Sequence, residues 1–198
     1  MEIRELTGEQ IGRIYTERMP GDFSPDEIKP LSRIEEALSA GKYACYGAFE
    51  KDQILAYAFF VINDLSALLD YLAVREDLRG KGIGSEFIRK MADGLTRRFE
   101  TVLLESEDPD RADSEDERSV MERRLRFYRG NGLTDTGVIS TVWHVPYKIL
   151  AFPSEKTLSA DEAGAVYREI YRVIFPEALY KRMVWVSAAV CRDSGHRP

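Results

Sequence analysis

The side chains with the clearest chemical use stand together in Leu72-Ala73-Val74-Arg75-Glu76-Asp77-Leu78-Arg79-Gly80-Lys81-Gly82-Ile83-Gly84-Ser85. A strand-like apolar run enters a short loop dense in glycine, and the loop runs straight into a segment with helical spacing. The first amides of a helix lack intrahelical partners and point outward. The helix dipole adds partial positive charge at that end, so a diphosphate can be gripped there largely by backbone. Glycines let phosphate oxygens reach those amides, and Arg79 and Lys81 supply mobile positive charge. Two familiar phosphate motifs do not fit. The dinucleotide fingerprint G-x-G-x-x-G needs glycine where Ser85 or Phe87 stands, and a P-loop needs Ser or Thr where Gly82 follows Gly80-Lys81.

Other reactive residue types are thinly spread. Cys45 and Cys191 match no metal or redox spacing, and with only His144 and His196 beside them no zinc site is expected. Cys45 lies in an apolar run, as a buried inert thiol would. His144 reads as a packed or surface imidazole in a strand-like segment. His196 belongs to the polar tail Asp193-Ser194-Gly195-His196-Arg197-Pro198, expected to fray. Asp108, Asp110, Asp113, Glu115, Asp116 and Glu117 read as a flexible loop and a dipole-matched helix start. Arg123, Arg124, Arg126 and Arg129 read as a solvated helix face, one of which could reach a phosphate. Tyr167, Tyr171, Phe175 and Trp185 read as core.

The elements that must position these groups follow from periodicity. Thr7-Gly8-Glu9-Gln10 with Ile11, Ile14 and Tyr15 predicts a capped helix that Pro20-Gly21 stops. Ser24-Pro25 predicts the opening of a second helix, running through Leu31, Ile34 and Leu38 to Gly41. The period then changes. Tyr43 to Phe49, Ile54 to Ile62 and Leu68 to Val74 predict three strands, the first two joined at Glu50-Lys51-Asp52-Gln53. Gly82 to Phe99 predicts a helix with Ile83, Phe87, Ile88, Met91 and Leu95 on one face. Thr101 to Leu104 is strand-like, and Met121 to Tyr128 is helical and ended by Gly130-Asn131-Gly132. Val138 to Val142 and Val145 to Phe152 predict closing strands. Ala163, Val166, Tyr167, Ile170 and Ile174 share a helical face, and Pro176 to Val190 reads as a further amphipathic stretch. The expectation is an α/β domain with a mixed sheet.

Arg79-x-x-Gly82-x-Gly84 after Leu72-Ala73-Val74 resembles the acyl-CoA signature of the GNAT N-acetyltransferase superfamily. The order of elements is similar to that family too, and Phe127-Tyr128-Arg129-Gly130-Asn131-Gly132-Leu133 stands at its aromatic-Tyr segment. The resemblance covers residues 3–152. Met121, Arg124, Asn131 and Leu133 depart from residue types common in that helix and turn. It implies a GNAT-type, largely antiparallel sheet flanked by helices in residues 1–152. Residues 153–198 are then a helical extension packed on the same domain, covering the acceptor side or building a homodimer contact.

The resemblance also implies chemistry. An amine would attack the thioester of acetyl-CoA directly. Leu72, Ala73 and Val74 would pair with the pantetheine arm, and the Val74 N–H would polarise the thioester carbonyl. Amides from Arg79 through Gly80, Lys81, Gly82, Ile83 and Gly84 to Ser85 would hold the diphosphate. Tyr128 stands where the family has the acid that protonates the departing thiolate. Glu105, at the end of a strand and sharing a face with Glu107 if that strand continues, is the first choice for the base. A solvated pair of acids is the equal alternative. A larger acyl group, or a CoA-binding module without turnover, are the competing readings.

Composition bounds the partners. A chain of 198 residues suits one domain with a real core. Its net charge of −6 disfavours nucleic acid and anionic membranes, which makes the local basic loop stand out. No apolar run is long enough for a bilayer, and the amino terminus lacks a signal-peptide pattern, so a cytoplasmic protein is expected. The acceptor is an amine of a small molecule or of a protein or peptide, and no metal is expected.

Overall fold

Thr7 and Gln10 satisfy each other at the start of the first helix: the Thr7 side chain accepts from the Gln10 amide, and the Gln10 side chain accepts from the Thr7 amide. This is a capping box, and it starts α1 (Gly8–Glu17) where local chemistry says it must. The computed structural model of the chain describes residues 1–25, 27–154 and 157–188. The expectations for Cys191, His196 and the end of the last amphipathic stretch lie outside the described residues. Two compact units divide the chain, Met1–Val102 and Leu103–Pro198.

The first unit contains β1 (Glu2–Glu5), α1, α2 (Met19–Asp22), α3 (Leu31–Ser39), β2 (Tyr43–Glu50), β3 (Gln53–Ile62), β4 (Ser66–Val74) and α4 (Ile83–Arg98). Its strands run in the order β1-β2-β3-β4, each antiparallel to the next. The β3–β4 register skips one residue, with Phe59 opposite Tyr71 and Phe60 opposite Leu69, so Asp70 forms a bulge. The α4 helix packs on β1, β3 and β4. It buries Phe87, Ile88, Met91 and Leu95, each worth about 1.5–3 kcal/mol relative to exposure.

The second unit follows β5 (Thr101–Glu107), whose first two residues close the first. It contains α5 (Glu115–Gly130), β6 (Thr134–Val142), β7 (Val145–Ala151), α6 (Ala160–Ile174), α7 (Glu177–Met183) and β8 (Val184–Ala188). Strand order is β5-β7-β6-β8, again antiparallel throughout. The α6 helix packs on β6 and β8. It opens with a second capping box, Ser159 with Glu162. Together the units make a mixed α/β protein with largely antiparallel strands flanked by helices. No helix among the described residues is long and apolar enough to cross a membrane.

Several expectations change. Ser24-Pro25 does not open a helix among the described residues; turn and loop occupy residues 24–25 and 27–30, and α3 starts only at Leu31. That segment is held by side chains instead. Tyr71 Oη donates to the Glu27 carbonyl and accepts from the Lys29 amide, while Lys29 Nζ donates to Asp70 at 2.6 Å. Pro20-Gly21 lies inside the one-turn helix α2, just beyond the end of α1. The stretch read as amphipathic from Pro176 yields a short helix and then a strand, since Val184-Trp185-Val186 favours extended backbone. Trp143-His144 forms the two-residue turn of the β6–β7 hairpin, with φ of 50° and 72°, so His144 is an exposed turn residue. Asp108 is buried and paired with Lys148 at 3.3 Å, unlike the flexible-loop residue expected.

Candidate active site

Gly82 is the N-cap of α4, at φ 82°, and offers no side-chain cap. Gly80, at φ 75°, makes the other left-handed turn. L-residues avoid this conformation, which is why glycine stands at both points. The first helical bond is Glu86 N–H to the Gly82 carbonyl at 3.0 Å. The amides of Ile83, Gly84 and Ser85 therefore have no intrahelical acceptor. A Cβ built at Gly80 or Gly82 meets no heavy atom within 4 Å, so open space lies beside the turn. Two of the expected donors are already engaged: Arg79 N–H bonds Glu76 O at 3.1 Å, and Lys81 N–H reaches Leu78 O at 3.4 Å. The donor row narrows to Gly80, Gly82, Ile83, Gly84 and Ser85.

The two cations of the loop differ. Lys81 is exposed and makes no ion pair with the described residues. Arg79 is already engaged: its Nε donates to the Val74 carbonyl at 3.1 Å, and its Nη2 donates to Asp22 at the end of α2. Asp22 is nearly buried, 8% exposed in its side chain, and its other oxygen accepts from Tyr57 Oη at 2.8 Å. Burial pushes the Tyr57 phenol up, and the Asp22 carboxylate adds to that shift. Burial lowers the Arg18 guanidinium, with Asp22 opposing, while Arg18 lies 4.8 Å over the Tyr57 ring.

Leu72, Ala73 and Val74 form the end of β4 leading to this loop. Arg75 N–H bonds Leu55 O on β3 at 2.8 Å. Hydrogen-bonding groups alternate along an antiparallel strand, so the N–H of Val74 and that of Leu72 point away from β3. The acceptor of Arg79 Nε, the Val74 carbonyl, points the same way.

Glu105 and Tyr128 belong to the second unit. The strand does continue to Glu107, so Glu105 and Glu107 share a face. Glu105 Oε1 accepts from both Tyr167 Oη and Tyr171 Oη, the latter at 2.6 Å, and Tyr167 Oη also bonds Ser140 Oγ at 2.8 Å. Both phenols lie in the core with rings 4.8 Å apart. Burial raises them well above the ordinary phenol range, and the neighbouring carboxylate raises them further. Glu107 pairs with Arg124.

Tyr128 sits near the end of α5, buried against Phe127 with ring centroids 5.4 Å apart. Burial raises its phenol; Arg124 lowers it and Glu107 raises it. Asn131 caps α5, and Gly132 turns the chain at φ 92° to bury Leu133. Arg123, Arg124, Arg126 and Arg129 are exposed, as expected. Cys45 is buried, and burial pushes its thiol up.

Sequence reasoning missed Asp22, Asp70 and the phenols around Glu105. Asp70 had a local signal, a lone carboxylate in the apolar strand Leu68-Leu69-Asp70-Tyr71-Leu72. It accepts from Tyr43 Oη and Lys29 Nζ and ties the loop before α3 to β4. Asp22 and the tyrosines had none. Among the described residues, no group of three or more His, Cys, Asp or Glu is arranged to hold a metal ion.

Comparison with known proteins bears on residues 9–115, which match the model of the acetyltransferase (GNAT) family. The chain is 32% identical over 115 residues to YjbC of Bacillus subtilis (strain 168), provisionally named an acetyltransferase. That match covers 58% of this chain and 54% of YjbC, so the chain spans about half of that relative's length. A provisionally assigned GNAT-family acetyltransferase from Bacteroides thetaiotaomicron superposes with a TM-score of 0.65 at 17% identity. The match covers 87% of this chain and 96% of that one. An aminoglycoside 6'-N-acetyltransferase solved with coenzyme A gives 0.57 at 17% identity, covering 76% and 96%. These structures share the fold, and the family match over more than half of the chain makes it a member of the GNAT acetyltransferase family.

Proposed function

We propose that this protein transfers an acetyl group from acetyl-CoA to a primary amine, and that residues 1–152 carry that chemistry. The observation that carries the reading is the row of unpartnered amides at Gly80 and Gly82 to Ser85, opening into free space at the start of a sixteen-residue helix. Such a row suits a diphosphate, with Lys81 adding charge. Acetyl-CoA supplies an activated thioester when bound. Leu72 and Val74 offer backbone groups that point away from β3 to its amide-bearing arm, with Ala73 between them paired to Tyr57, and the Val74 N–H is the donor for the thioester carbonyl.

Tyr128 gives its proton to the departing sulfur. Its raised phenol stays protonated at neutral pH, so the proton is there to give. Glu105, whose Oε1 accepts from two phenols, meets the amine. Its first task is to attract a cationic amine, of a small molecule or a peptide. It takes the proton once the amine is held.

Thermal shift with acetyl-CoA, CoA and ATP tests the donor; no shift with either CoA species rejects it. Tyr128→Phe then tests the acid. Turnover against an amine panel should fall by about 10²-fold or more with acetyl-CoA affinity kept. Equal turnover rejects the role.

A further inference from the structure

Arg79 spans two places that the chemistry above treats separately. Its guanidinium closes back on the Val74 carbonyl, five residues earlier and the last of β4, at 3.1 Å. It is held there by Asp22, which lies 57 positions away. Asp22 is fixed in turn by Tyr57 on β3 and is nearly excluded from water. A chain of contacts thus runs from β3 through α2 to the first residue of the loop and on to the end of β4. Asp22 also offsets the charge of Arg79, leaving Lys81 and the amides to meet an anion.

We propose that Asp22 is a positioning residue for the donor. By clamping Arg79 across the strand end, it holds the turn from Val74 to Gly80 in one shape. The amides of Gly80 and Gly82 to Ser85 then stay converged while the Val74 N–H keeps a set distance from them. The proposal rests on the reading of this loop as a CoA-diphosphate site.

The test compares wild type, Asp22→Asn, Arg79→Gln and the double variant. CoA affinity is read by calorimetry, and amide exchange is read without ligand. Each single variant should weaken CoA binding by about tenfold, the scale of losing a residue that orients another. The double variant should be no worse than the weaker single, because both remove one clamp. Exchange should quicken at the bonded amides of Leu78 and Lys81 and stay unchanged in β2 and β3, which separates positioning from general loss of stability. Wild-type CoA affinity in Asp22→Asn, or losses that multiply in the double variant, would overturn the clamp. Should Asp22→Asn not fold, unchanged exchange at Leu78 and Lys81 in Arg79→Gln overturns it, and quickened exchange there supports it. If wild type itself ignores CoA, the functional reading falls first and the clamp with it.

Discussion

Gly82→Ala isolates the proposed anion nest from the stability of the fold. Gly82 has φ 82°, and a methyl there meets no heavy atom within 4 Å. The substitution therefore creates no internal clash, and its fold cost is that of an L-residue in left-handed backbone, about 1–2 kcal/mol. For a chain of this size each kcal/mol lowers Tm by about 2–4 °C. The same methyl projects into the space where phosphate oxygens would approach. Displacing one charge-assisted hydrogen bond costs about 1.5–3 kcal/mol, or roughly 10- to 150-fold in affinity. CoA titration by calorimetry beside thermal unfolding measures both numbers. Gly94→Ala is the control: it lies inside α4, also with no heavy atom within 4 Å of the added methyl. It should gain about 0.5–1 kcal/mol of stability and leave CoA affinity unchanged. If Gly82→Ala loses several degrees in Tm yet binds CoA as wild type does, the nest reasoning is refuted.

Two further outcomes follow from the buried phenols. Glu105→Ala should remove the acceptor that the buried Tyr167 and Tyr171 hydroxyls share and cost about 1–3 kcal/mol, while Glu105→Gln keeps an acceptor and most of the stability. If the Gln variant acetylates the amine panel at the wild-type rate, the anionic role is wrong. Tyr43, Tyr167 and Tyr171 are raised well above ordinary phenols, by burial first and by Asp70 or Glu105 next. Their folded forms keep protons that the unfolded chain loses above about pH 10, so the stability they contribute is present below that pH and is lost as pH rises. Three such phenols tilt stability by up to about 4 kcal/mol per pH unit there. Phenolate absorbance and loss of far-UV circular dichroism should then rise together; ionisation completed in a still-folded protein would sink this.

What could be read from sequence was local. Glycines at Gly80 and Gly82, and the helix they introduce, lie within a few residues of one another, so the donor row was legible as a pattern. Thr7 with Gln10, and the terminator at Gly130-Asn131-Gly132, were legible for the same reason. The strand β1 escaped because Glu-Ile-Arg-Glu is too short and polar to register; pairing with β2 makes it a strand. The β-forming run at Val184 was masked by averaging over a longer amphipathic window.

The site's electrostatics were not legible, because they are settled by partners far along the chain. Arg79 looked like a mobile charge for an anion, and only folding brings Asp22 to it. Glu105 looked like either a base or a solvated acid, and the phenols that hydrogen-bond it lie 62 and 66 positions onward. These tyrosines come from α6, beyond the segment matched by the family model. The helix α6 therefore supplies two hydrogen-bond donors to the carboxylate proposed to meet the amine. A variant truncated before α6 would not be a minimal enzyme. It would lose β8 as well, expose the β6 surface that α6 covers, and remove the two phenol hydrogen bonds to Glu105.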